Sequence, residues 1–125
     1  MRFVHLQVLV LCLKLSLAAY PAHAAEADGD WSVRIVVEAG PCFRPPGFRY
    51  FVNIENEVVS KANPTDRATS LVGRVDQTGS VRFTAVRGDE RAVGTGILSD
   101  GIGSGTWHLT SAKRECSGSW TAKKR

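Results

Sequence analysis

The chain reads as an all-β protein: a small antiparallel up-and-down barrel, or closed meander, of about eight strands with one disulfide. Three observations carry this. Apolar and polar residues alternate with period two in one short segment after another. Turn-forming residues recur every eight to twelve residues or so, the spacing of sandwiches and barrels. The tripeptide Gly-x-Trp contains all 3 tryptophans of the chain, as Gly29-Asp30-Trp31, Gly105-Thr106-Trp107 and Gly118-Ser119-Trp120. A Trp beside a Gly on a short strand suits a barrel interior, where the indole fills space that the Gly leaves. No amphipathic helical period follows residue 24. Closure is preferred to a flat sheet because it removes exposed strand edges.

The N-terminal region, residues 1–24, reads as a secretion signal whose helix is removed from the mature protein. Arg2 supplies the positive start, the run from Val8 to Ala19 the apolar stretch, and Ala22-His23-Ala24 a small-x-small cleavage site. Lys14 interrupts the apolar run, which argues against a membrane anchor. Without Arg2 and Lys14 the 16 basic residues become 14 against 12 acidic ones, so the net charge falls from +4 to about +2. That balance is too small to imply a nucleic-acid partner. Cys12 leaves with the signal, and Cys42 and Cys116 remain. Two cysteines in an exported domain point to one disulfide tying the first part of the domain to its last strand. Two free thiols or a metal pair is the alternative.

Residues 25–30 are small and acidic and are expected to be a flexible leader. The single barrel domain spans residues 31–122. Its first strand runs from Trp31 to Glu38, with Trp31, Val33, Ile35 and Val37 on one face. The loop from Gly40 to Gly47 contains Pro45-Pro46, which neither donates to a ladder nor enters a helix. Strands follow from Phe48 to Glu55, with Tyr50, Val52 and Ile54 on one face, and from Val58 to Lys61. After the loop Ala62 to Asp66, the remaining strands are Ser70 to Val75, Val81 to Ala85, Arg91 to Leu98, Ile102 to Leu109 and Glu115 to Ala122. Asp76, Asp89 and Asp100 sit where turns favour Asp. Gly94, Gly96, Gly103 and Gly105 weaken two strands, so each needs a bulky neighbour lying over it or a ligand groove. Residues 123–125 form a basic tail, read as a solvated terminus.

Chemistry-bearing residues are sparse. His108 alone among histidines belongs to the mature domain, and alternation with Trp107 turns it toward solvent. No histidine-based metal site and no nucleophile-base arrangement is apparent. The glycines at 94–105 lack the following helix that a phosphate loop needs. Phe43, Arg44, Phe48, Arg49 and Tyr50 group Arg with aromatics around the Pro-Pro loop, a candidate contact surface. The side chains of Trp31, Val33, Ile35, Tyr50, Val52, Ile54, Val81, Phe83, Trp107 and Trp120 could fill a barrel of this size, which argues against a cavity but leaves the question open.

The Gly-x-Trp opening and the meander resemble the calycin architecture of lipocalins and avidins. Asp30-Trp31-Ser32-Val33, Gly103-Ser104-Gly105-Thr106-Trp107 and Cys116-Ser117-Gly118-Ser119-Trp120-Thr121-Ala122 also resemble a group of small exported proteins of Gram-negative bacteria. That second resemblance names no activity. Periplasmic barrel inhibitors of bacterial metalloproteases are similar in size; that resemblance implies a leader, here 25–30, that enters a protease cleft.

The expectation is therefore a monomeric, periplasmic or extracellular binding domain that is not an enzyme. No catalytic residue, cofactor or metal is assigned, and no membrane insertion is expected. Its partner is a protein or a small molecule. The alternatives are a protease inhibitor acting through residues 25–30 and a hydrolase built on surface carboxylates.

Overall fold

The computed structural model describes residues 26–42, 47–63 and 65–125; the signal segment, Ala25, Phe43, Arg44 and both prolines of the Pro-Pro loop lie outside them. Eight strands run β1 (Gly29–Ala39), β2 (Gly47–Glu55), β3 (Val58–Lys61), β4 (Ser70–Val75), β5 (Ser80–Arg87), β6 (Glu90–Ser99), β7 (Ile102–Thr110) and β8 (Glu115–Lys124). Each is antiparallel to the next, and β8 returns to β1 to close the barrel. The alternation seen in the sequence is the inside-outside alternation of the wall. The strands extend beyond the expected domain at both ends: β1 begins at Gly29, and Lys123 and Lys124 belong to β8.

The barrel has a closed end and an open end. Tight turns gather at the closed end. In the β2–β3 turn, Asn56 and Glu57 both take positive φ, of 50° and 69°, the geometry of a two-residue hairpin that follows strand twist. Asp76 builds the β4–β5 turn by accepting hydrogen bonds from the N–H groups of Thr78 (2.8 Å) and Ser80 (3.0 Å). Trp31 fills the floor and is 1% exposed, with Ile54, Val59, Val75, Val81, Leu98 and Ala122 buried around it. The described residues of the leader, from Glu26 on, make contacts here. Ala27 is buried, and its carbonyl accepts the Trp31 indole N–H at 2.7 Å. Asp28 Oδ1 accepts from Asn56 N–H at 3.2 Å, and Glu26 O accepts from Lys124 Nζ at 2.9 Å.

The other two tryptophans explain the glycine-rich strands. In the β7–β8 ladder Trp107 lies opposite Gly118, and Gly105 lies opposite Trp120. Gly105 thus makes room for Trp120, whereas Gly118 makes room for the close approach of the β1 backbone at Val36. The Trp120 ring lies over Gly96, Gly103 and Gly105, and a Cβ on Gly105 would come within 2.7 Å of that ring. Phe83 lies over Gly94 in the same way, and meets Trp120 edge-on with ring centres 6.0 Å apart. Both indoles find backbone acceptors: Trp120 donates to Thr95 O at 3.2 Å, and Trp107 is shared between Val36 O and Ser119 O, each at 3.1 Å. The Val36 carbonyl borders the bulge between Val37 and Ala39, where the register of β1 against β8 shifts.

At the open end Cys42 and Cys116 form the expected disulfide, with Cα atoms 6.1 Å apart. Gly40 makes it reachable. Its φ of +92° turns the chain inward, and it packs so close to β8 that a Cβ would lie 2.8 Å from Cys116 Cα. Closing a loop of 74 residues stabilises by roughly 4 kcal/mol in the chain-entropy model.

Candidate functional site

The side chains that could fill the barrel line a cavity of about 560 Å³ instead. All ten of them border it. Counting inward-facing rings argued against a cavity because it took no account of the glycines beside them. The glycines of β6 and β7 let ring atoms of Trp120 and Phe83 come into the space that side chains at those positions would take. Ala85, Ala92 and Ala122 add little bulk to the lumen. An eight-stranded barrel stands near the size at which the interior is either filled or holds one small ligand. The glycines decide between those outcomes.

The cavity is apolar over most of its depth and gains polar groups at the open end. Asp66, Thr69, Arg87, Glu90 and Arg114 line it there, with the Tyr50 hydroxyl just inside. Glu90 and Arg114 form an ion pair. Asp66 Oδ1 accepts from the N–H groups of Ala68 at 3.2 Å and Thr69 at 3.3 Å, and its other oxygen accepts a long hydrogen bond of 3.4 Å from Tyr50 Oη. Lys61 Nζ donates to Asp66 O and Thr69 O, the latter at 2.8 Å, and pins the β3–β4 loop to the rim.

These contacts shift two acidities in opposite directions. Partial burial, then the charge of Asp66 and the bond to its carboxylate, raise the Tyr50 phenol above its usual value. Tyr50 therefore stays a neutral donor at the mouth. Partial desolvation acts to raise Asp66, but donation from Thr69 and Ala68 and the charge of Lys61 outweigh it, and the carboxyl is lowered. Asp76 is lowered by the Thr78 hydroxyl against a smaller desolvation, with help from the Thr78 and Ser80 N–H groups. A carboxylate acid-base pair needs one member raised. The displaced carboxyls among the described residues, Asp66 and Asp76, both move the other way and sit on loops at opposite ends of the barrel.

The candidate contact surface divides along the strand. Phe48 and Tyr50 line the cavity, while Arg49 is exposed on the alternate face of β2. Phe43 and Arg44 lie outside the described residues. His108 is on the outer surface as expected, its Nε2 2.9 Å from Glu115 Oε1. Sequence reasoning passed over the rim charges. The signal for one was present: extending the inward series Val81, Phe83, Ala85 by one step reaches Arg87.

No family profile, curated protein or solved structure matches the chain, so the site is read from its own geometry.

Proposed function

We propose that this protein is a non-enzymatic binding module that holds one small, largely apolar molecule inside the barrel. The observation that carries the reading is the cavity of about 560 Å³, apolar within and polar at its open end. Ligand sites commonly fall between about 300 and 1,000 Å³, with apolar walls and a few placed polar groups. Burying an apolar body there releases water from the Trp31, Val52, Phe83 and Trp120 surfaces, and the effect scales with the area covered. The rim then governs orientation and entry. A floor plugged by a tryptophan next to a Gly-x-Trp opening supports kinship with the calycin barrels. The signal-like residues 1–24 and the Cys42–Cys116 bridge support export to an oxidising compartment, periplasmic or extracellular.

The inhibitor alternative needs a leader free to enter a protease cleft. Ala27 and Asp28 are instead fixed to the floor, so nothing in the arrangement favours it.

Calorimetric titration with 1-decanol, an uncharged apolar probe, tests the proposal. One saturable site per chain is expected. Ala92→Phe, which places a ring in the lumen, should abolish binding while the unfolding midpoint changes little. Absence of saturable binding, or equal binding by Ala92→Phe, would overturn the reading.

A further inference from the structure

Charged side chains at the mouth are not equally committed. Glu90 and Arg114 neutralise one another. Asp66 is held by Ala68, Thr69 and Tyr50, with the Lys61 ammonium beside it. Arg87 lines the cavity, and its side chain has no hydrogen bond or ion pair among the described residues. It is the last residue of β5, directly opposite Glu90 in the ladder. Of the charged residues that line the cavity on this side, Arg87, Glu90 and Arg114, the last two match one another and Arg87 is left over, while Asp89 on the same turn accepts from the Ala112 N–H at 3.4 Å. Arg87 stands where an apolar lumen meets water.

Resting on the carrier reading above, we infer that the ligand is a single-chain amphiphile with an anionic head, its chain in the lumen and its head on Arg87. A guanidinium presents paired N–H donors that match a carboxylate or sulfate and keeps its charge at any working pH. A cationic head finds no equivalent place. The rim carboxylates, Asp66 and Glu90, already have partners, and Arg87 repels it. The cavity volume of about 560 Å³ suits a single-chain ligand.

Arg87 is exposed, so water and salt weaken its pull, and the expected discrimination is modest. At pH 7 and low salt, decanoate should bind about fivefold more tightly than 1-decanol, the upper end for an exposed ion pair. Decylammonium should bind more weakly than the alcohol. Arg87→Gln should bring decanoate down to the alcohol and leave the alcohol unchanged, whereas Arg87→Lys should keep part of the preference. Arg91→Gln, on an exposed position of β6, controls for a general loss of positive charge. Added salt should weaken decanoate alone. Equal binding of decanoate and decanol, or equal losses in Arg87→Gln and Arg91→Gln, would overturn this inference and leave the carrier reading standing. Failure of all three probes to bind would overturn both.

Discussion

The two ends of the barrel use the same alternation to opposite effect. At the closed end the inward positions converge on Trp31, and Val75 beside it is likewise 1% exposed. Even the indole N–H is matched, by Ala27 O. At the open end the inward positions Ile35, Tyr50, Leu71, Phe83 and Ala92 are only half-buried and face a lumen. The packing there is concentrated on one side, where Trp107 and Leu109 lie beneath the disulfide. Stability is thus drawn from the floor and from the β7–β8–β1 wall. The opposite side of the mouth, around Tyr50, Asp66 and Arg87, is packed less tightly, which is what the proposed binding role needs. Binding surfaces belong to the less stable parts of a fold for this reason.

The largest expected effect tests that division. Trp31→Ala removes the plug and should cost about 4 kcal/mol, in the range for a buried aromatic deletion, as read by denaturant unfolding. Leu71→Ala, inward but half-buried against the cavity, should cost only about 1 kcal/mol. Equal losses would mean that the open end is as tightly packed as the floor.

Gly105→Ala comes next. Its Cβ would collide with the Thr95 carbonyl and press on Trp120. Overpacking of this kind costs about 1–3 kcal/mol. Should Trp120 yield by tilting inward, the cavity shrinks, so decanol binding should fall along with stability. A loss of stability with unchanged binding would separate the glycines from the open lumen.

The smallest effect lies in the pH dependence. Asp66 and Asp76 are lowered in the folded state, so the stability they supply is present above about pH 4 and is lost as the pH falls below it. Tyr50 is raised, so its contribution is present below about pH 10 and is lost as the pH rises through its folded value. Unfolding midpoints followed across pH should therefore show an acid-side slope partly removed by Asp76→Asn, at the closed end. The alkaline-side slope should be partly removed by Tyr50→Phe, at the open end. A Tyr50→Phe profile identical to the parent at high pH would mean that the phenol is freely solvated.

Much of this architecture could be read from the residues. The strands Val58–Lys61 and Ser70–Val75 lie at the positions that alternation and turns predict, and the other strands differ by no more than two residues at either end. Period two also places Phe48 and Tyr50 on the face opposite Arg49, which nearness in sequence does not show. What could not be read was anything that depends on register. The pairing of the two Gly-x-Trp copies follows from the hairpin around Ser111 and Arg114, where a one-residue slip would have put the two tryptophans on opposite faces of the wall. The cavity was hidden for a related reason. Composition counts bulky residues, whereas the space each ring takes depends on which glycine lies near it across the ladder. The contacts of the leader were hidden as well, because the small residues that suggest flexibility are also those that fit beneath Trp31.

The most direct test of the central claim, an open apolar lumen that holds a molecule, is a native and then denaturing mass spectrum of the protein purified from the cells that make it. The account predicts extra mass on the native chain that leaves on denaturation, or a bare chain that takes up one decanoate when it is offered. A bare chain that refuses decanoate and decanol alike would contradict it.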